Sequence, residues 1–366
     1  TTPPFYPWSF GDAPPQSDST NLPPAALFRG INTKSGNATL IYDVATSDGK
    51  PVRIHETPLR HGANQNEMIV RRFEIAPCAE ALWFLVHAEM GKISPASDAA
   101  TVFIQRTNDI LSVSVRGFAG LQWQPVERDV DYEVERITEE GTVKGNPRDK
   151  MQGHQSRAYL KIPPHQNEIT FEIASLVSDN ILPTGWSEND APIQSSPKIF
   201  HADPAARRPV GGDSFFRIEH FPLPKEIDLL VCGMDWLPDG KLVVCTWSGE
   251  IYIVENAQGA PEAATYRRFA RGLNEPMGLK VINGDIYVSQ KAELTRVLDT
   301  DKNGEADLYE TVNASWGYSG SYDSFAFGPA LDKQGNFYIA FAGNRGRWDV
   351  PYMGWAVKIS PDGKSM

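Results

Sequence analysis

Cysteine is scarce in this chain, with three in 366 residues. Three thiols cannot build a disulfide framework, and none falls in C-x-x-C spacing, which excludes a cysteine zinc site and a covalently attached c-type haem here. Long apolar runs are missing: no stretch approaches the ~18 residues needed to cross a bilayer as a helix. Helical periodicity is nearly absent as well, with no i, i+3, i+4, i+7 pattern beyond two turns. Basic residues are outnumbered, 35 against 46 acidic ones, for a formal net charge of −11. That balance argues against nucleic acid or an anionic membrane as partner and suits a protein that collects cations. No G-x-G-x-x-G or Walker loop opens a helix after a strand, and there is no G-x-S-x-G elbow, so nucleotide binding and nucleophile-elbow hydrolysis have no support. The seven histidines (55, 61, 87, 154, 165, 201, 220) form no H-x-x-x-H or close acidic cluster and read as ordinary surface or core residues. The N-terminal stretch lacks the basic start and apolar core of a signal peptide; either none existed or it has been removed.

What is present is a succession of short strand-like runs. "ATLIYDVA", "PVRIHET", "MIVRRFEIA", "ALWFLVHAE", "ATVFIQRT", "LSVSVRG", "YEVERI", "RAYLKIP" and "NEITFEIA" alternate apolar with polar residues and are separated by Gly, Pro, Asn and Asp. Such spacing predicts an antiparallel, sandwich-like domain over residues 1–190. Around 191–215 the texture turns rich in Pro, Ser, Asp and Gly without a period, which reads as a linker. From 216 to 366 a unit of roughly 45 to 50 residues repeats: "GMDWLPDGKLVVCTWSGEIYIVEN", "EPMGLKVINGDIYVSQKAELTRVLD" and "DSFAFGPALDKQGNFYIAFAGN". The period is that of a β-propeller blade. The fold expected is all-β, a sandwich-like domain followed by part of a propeller of about three blades. An open arc exposes sheet edges, so further chain or a partner is expected to complete it.

Two local patterns carry chemistry. In "DTDKNGEADLYE" the residues Asp299, Asp301, Asn303, Glu305, Asp307 and Glu310 stand at positions 1, 3, 5, 7, 9 and 12 around Gly304. This is the spacing of a twelve-residue calcium loop, in which a hard cation gathers oxygens, position 7 through its carbonyl and position 12 through both carboxylate oxygens. The flanks read as strands rather than helices, so a structural ion at a blade connection is expected, with a catalytic ion and a plain acidic turn as alternatives. Second, the Pro238–Asp239 turn joins two apolar runs, and a turn centred there would place Cys232 opposite Cys245. Either a disulfide in an oxidising compartment or two packed thiols fits that pairing. Cys78 reads as a lone buried thiol.

The segment from Val231 to Val312 resembles the propeller of the large membrane-bound dehydrogenase-type proteins of planctomycetes and verrucomicrobia, itself similar to soluble glucose and sorbosone dehydrogenases that use pyrroloquinoline quinone (PQQ). "ALFRGINTKSGNATLIYDVATSDGKPVRIHETP" and "RAYLKIPPHQNEITFEI" are similar to the β-rich domain before that propeller. The resemblance implies an extracytoplasmic or periplasmic oxidoreductase that moves a hydride from a sugar or alcohol to the quinone and passes electrons to a c-type cytochrome. The haem would belong to a C-terminal region or partner chain. Where the family has Tyr-His-Glu, this chain has Tyr322-Asp323-Ser324. Asp323 would then take the substrate proton, and at an ordinary pKa of about 4 it is a weaker base than imidazole. Lys291 in the "SQKAE" loop and Arg345, Arg347 and Trp348 in "GNRGRWDVPYMGW" are suited to an anionic quinone or a sugar ring. The alternative is a non-catalytic, calcium-stabilised propeller that binds glycan or protein, with the front domain as a second recognition module.

Overall fold

Alternation writes the strands, and one strand shows how. In Ile169–Val177 the side chains of Ile169, Phe171 and Ile173 are buried while Thr170 is exposed. Glu172, on the opposite face, is clamped by Arg72 at 2.8 Å and by Arg116 at 2.7 Å from the two neighbouring strands. A period-2 pattern of this kind leaves the chain no stable choice but a ladder with one apolar face. The computed structural model describes residues 7–14, 26–34, 36–61, 68–96, 99–106, 109–135, 148–177, 197–206, 209–212, 215–317, 324–343 and 352–366. These form antiparallel β-sheets with no α-helix, only two single-turn 3-10 segments, and no sheet closed on itself.

The chain divides into two units, residues 1–28 with 37–192, and residues 29–36 with 193–366. In the first, one sheet is built in the order Trp8–Phe10, Leu82–Glu89, Arg148–Ile162, Gln122–Glu135. A second runs Thr39–Ala45, Pro51–His61, Met68–Ile75, Ile169–Val177, Ile110–Arg116, Thr101–Gln105, Ile93–Pro95. Both contribute to a single apolar cluster centred on Trp8, Phe73, Phe84 and Phe171, the last stacked on Phe73 at 5.1 Å between centroids. Pro125 is tolerated inside Gln122–Glu135 because that strand is the edge of its sheet, where a missing N–H breaks no second ladder. One chain of polar groups within this core is paired from end to end. Trp8 Nε1 donates to Tyr42 Oη at 3.1 Å, Tyr42 donates to Glu56 at 2.8 Å, and Arg71 closes the chain on Glu56 at 2.7 Å. Burial first, then the Glu56 charge, pushes the Tyr42 hydroxyl far above its ordinary value, so it stays a donor at any physiological pH.

The second unit holds three meandering sheets in chain order. The first is Val231–Trp236, Leu242–Thr246, Ile251–Glu255, Thr265–Ala270, with Ile199–His201 added on its outer edge. The second is Leu279–Ile282, Asp285–Ser289, Leu294–Leu298, Leu308–Asn313, with Gly30, Ile31 and Asn32 of the strand Ala26–Asn32 paired along the last strand. Ala326–Leu331, Phe337–Phe341 and Ala356–Ile359 make the third. The sheets stack face to face. Val243, Cys245 and Ile253 of the first meet Ile286, Val288 and Val297 of the second in one cluster. Ile282, Tyr287 and Leu294 of the second meet Phe337, Ile339 and Val357 of the third in another.

The first strands of the three sheets come together through glycines. A Cβ on Gly233 would lie 2.6 Å from Gly278 Cα, and a Cβ on Gly278 would collide with the Gly328 carbonyl. Met277 and Phe327 form a parallel bridge at the same place. Asp235 accepts from Val281 N–H at 3.0 Å and pairs with Lys280 at 2.7 Å, tying the first sheet to the second.

Two sequence expectations change here. The stretch read as a linker, 191–215, contains Ile199–His201, which pairs with Thr265–Arg267, and Pro209–Gly212, which pairs with Arg217–Glu219. These strands are too short to show an alternation. The hairpin register is also one residue off: Gly233, not Cys232, pairs with Cys245, and Cys232 falls in a bulge. The cause is the turn, which spans Leu237 to Gly240 with Gly240 at φ +85° and Gly240 N–H bonded to Leu237 O, one residue longer than a two-residue turn.

Candidate functional site

The loop 299–307 connects Leu294–Leu298 to Leu308–Asn313. Its path is set by side chains that cap its own backbone. Asp299 accepts from Gly304 N–H at 2.8 Å and Asn303 N–H at 3.1 Å, and Asn303 Oδ1 accepts from Glu305 N–H at 2.8 Å. Lys302 and Gly304 both take the left-handed region, at φ +59° and +91°, which glycine adopts without strain. Asp307 is buried and accepts from Thr300 through N–H and Oγ1, each at 2.5 Å. The result brings one carboxylate oxygen each from Asp299, Asp301 and Asp307 within 4.8 Å of one another. Arg267 of the preceding sheet donates to the Gly304 carbonyl. Three carboxylates so close repel, and the all-oxygen donor set is what a hard divalent cation accepts.

Of the six expected ligands, then, three share a point. Asn303 lies beside it, its Nδ2 donating to Asp301 at 3.3 Å. Glu305 follows in the loop. Glu310 does not join the cluster: it sits on the ladder opposite Arg296 and pairs with it at 3.1 Å. In a helix–loop–helix the chain after the loop folds back toward the ion, whereas here a strand carries position 12 away along the sheet.

A second constellation lies at the other end of the same sheet. Strand direction fixes this: Leu294–Leu298 leaves the loop 290–293 and runs to the acidic loop, so the two loops cap opposite ends of that strand. Lys291 is buried, its ammonium 2.6 Å from Glu275 and 5.2 Å from the centre of the Phe325 ring. Its backbone is pinned on both sides. Lys291 N–H donates to Asn274 O at 3.0 Å, and Trp316 Nε1 donates to Lys291 O at 2.9 Å. Gln290 holds Asn274 N–H at 2.6 Å, and Glu293 accepts from Thr295 and Thr311 at 2.6 and 2.7 Å. Glu275 stands at φ +47°, an uncommon conformation for a non-glycine residue. Sequence reasoning singled out Lys291 but missed Glu275, although "NEPMG" opens the first strand of its repeat as visibly as "SQKAE" closes the second. Asp323, Arg345, Arg347 and Trp348 lie outside the described residues.

The thiols are all free. Burial, then the neighbouring Cys232, pushes the Cys245 thiol up to about 12, and both cysteines belong to the same apolar cluster. They are thiols packed together, Cys245 buried and Cys232 half-buried.

No family model matches the chain, and no curated protein matches it. Among solved structures it is similar to a mutant of heparan sulfate lyase HepC from Pedobacter heparinus, at 12% identity over 63% of this chain, with a TM-score of 0.26. The chain spans 27% of the length of that structure. A likeness at this level carries no functional argument.

Proposed function

We propose that the second unit is an arc of a β-propeller, that the first is sandwich-like, and that the protein is an extracytoplasmic oxidoreductase of the quinone-dependent sugar or alcohol dehydrogenase type. The propeller reading is supported by the glycines at 233, 278 and 328, one per repeat, through which successive first strands meet. Stacked meanders converging on their innermost strands are the geometry of blades around an axis. Calcium at Asp299, Asp301 and Asp307 would hold a blade connection, and its place at the opposite end of that strand from Lys291 supports a structural role.

The observation that carries the functional reading is the Lys291 platform. A buried ammonium over an aromatic ring, on loops fixed by hydrogen bonds, suits one carboxylate of a planar anionic quinone. Glu275 already pairs with that ammonium, so the fit requires the quinone carboxylate to take the place of Glu275. Arg345, Arg347 and Trp348 would complete the cradle, and Asp323 would accept the substrate hydroxyl proton. When bound, PQQ supplies the hydride acceptor, and a c-type cytochrome would take the electrons onward.

The same Glu275 contact favours a second reading, a non-catalytic propeller that binds glycan or protein, because a neutralised lysine needs no anionic ligand. Reconstitution separates the two. The full chain loaded with calcium and PQQ is expected to reduce a redox dye in the presence of aldoses, and Lys291→Ala to lose about tenfold in quinone affinity, the worth of one charge-assisted contact. Absence of quinone-dependent dye reduction with every aldose and alcohol tried, in protein whose melting still responds to calcium, would leave the recognition reading standing.

A further inference from the structure

The first unit carries a groove that neither the propeller nor its chemistry uses. Five chain segments converge on it, and it encloses about 690 Å³, within the range of roughly 300 to 1,000 Å³ typical of small-molecule sites. Its polar equipment is Asp12, Ser47, Glu80, Gln122 and Lys161, and Phe10 supplies an exposed aromatic ring.

These groups are held in place. Glu80 receives Ser47 Oγ on one carboxylate oxygen and Ser47 N–H, at 3.3 Å, on the other. Lys161 keeps its ammonium 5.3 Å from the centre of the Trp83 ring, which is buried beneath. Trp83 Nε1 donates to Gly11 O at 2.9 Å, and Gly11 N–H donates to Ala81 O at 3.1 Å, which joins two of the walls. Reciprocal backbone bonds between Cys78 and His165, 3.0 and 2.8 Å, fasten the segments on either side of them. Gly120 approaches Pro163 so closely that a Cβ there would stand 3.3 Å from the proline ring. A groove walled this way is preformed, so a ligand entering it orders little of the protein.

We propose that this groove binds one or two rings of a neutral saccharide. Charge decides against the other classes. Two carboxylates against one ammonium disfavour a phosphate or polyanion, and a wholly apolar ligand would strip water from Asp12, Glu80, Gln122 and Lys161 without replacing its hydrogen bonds. Sugars match the set that remains. Carboxylate and amide oxygens accept hydroxyl protons, the ammonium and the Gln122 amide donate to ring and hydroxyl oxygens, and the C–H face of a pyranose lies on an aromatic ring. The inference is independent of the quinone and calcium readings, because every group it uses lies in the first unit.

The test is saturation-transfer NMR on the full chain with the methyl glycosides of glucose, galactose, mannose and N-acetylglucosamine and with cellobiose. At least one sugar is expected to receive saturation at its ring protons. Phe10→Ala should abolish that transfer, and Glu80→Gln should weaken binding about tenfold, the cost of one charge-assisted hydrogen bond. A chelator should leave the signal unchanged. Gln122→Ala, at an exposed position, serves as a second variant should Phe10→Ala melt early. No transfer to any sugar, or transfer that survives Phe10→Ala, Glu80→Gln and Gln122→Ala alike in folded protein, overturns the proposal.

Discussion

Asp235 is a half-buried carboxylate whose environment pulls in two directions. Burial alone would raise its pKa. The Lys280 ammonium at 2.7 Å and the N–H groups of Val281 and Trp236, at 3.0 and 2.9 Å, outweigh that and hold it below the usual carboxylate range. A carboxyl with a depressed folded pKa contributes stability that is complete above its unfolded value near about 4 and is lost as pH falls through the lower folded value. Asp235→Asn is therefore expected to lower the urea midpoint at neutral pH and to flatten its decline on acidification. Wild-type and variant midpoints that run parallel down to about pH 3 would show that the Lys280 contact does not couple to folding. Glu310 makes the complementary point about what a residue's spacing conveys. Its distance from Asp299 in sequence matched a calcium loop, but which way a side chain faces is set by the strand that carries it, and the ladder gives Glu310 to Arg296. Spacing alone does not contain that information.

The elements themselves were largely legible. Runs such as "NEITFEIA" and "ALWFLVHAE" became Ile169–Val177 and Leu82–Glu89 because alternation over a half-buried strand is a strong constraint. Short outer strands were not: Ile199–His201, three residues at the edge of its sheet, takes its conformation from the neighbour it pairs with. Register was missed for a local reason, the extra turn residue before Lys241. The close approach of first strands had a signal that went unread, a glycine in "VCGMDW", "PMGLKV" and "AFGPAL" at corresponding places in each repeat. That reading makes a prediction at the level of the element. Gly278 combines φ +153° with backbone against its missing side chain, whereas Gly284 has φ +93° and open space. Gly278→Ala is expected to cost more than about 2 kcal/mol, because the strand must move, and Gly284→Ala only about 1 to 2 kcal/mol of conformational strain. Equal losses in denaturant titrations of the two variants would mean the first strands separate at no cost.

At the scale of the whole molecule, the two units have separate apolar cores and separate means of holding themselves together. The first buries a connected aromatic core with a paired polar chain from Trp8 to Arg71. The second distributes its core over clusters between stacked sheets, and it alone contains the Asp299–Asp301–Asp307 group. Calcium that binds the folded second unit should stabilise that unit by mass action, about 2.7 kcal/mol at a hundredfold excess over the dissociation constant. For a unit of this size that corresponds to roughly 5 to 11 °C. If the two units unfold independently, calorimetry should resolve two transitions. Calcium should raise only one of them, and a chelator should return it. Asp301→Ala should abolish the shift without touching the other transition. Glu310→Gln should leave the calcium response intact, since that side chain is engaged by Arg296. Magnesium should substitute poorly, because it resists dehydration and demands a tighter octahedron than this loop of exposed and buried carboxylates offers. If neither transition moves when calcium is added or stripped, the three aspartates form an acidic turn capped by its own backbone.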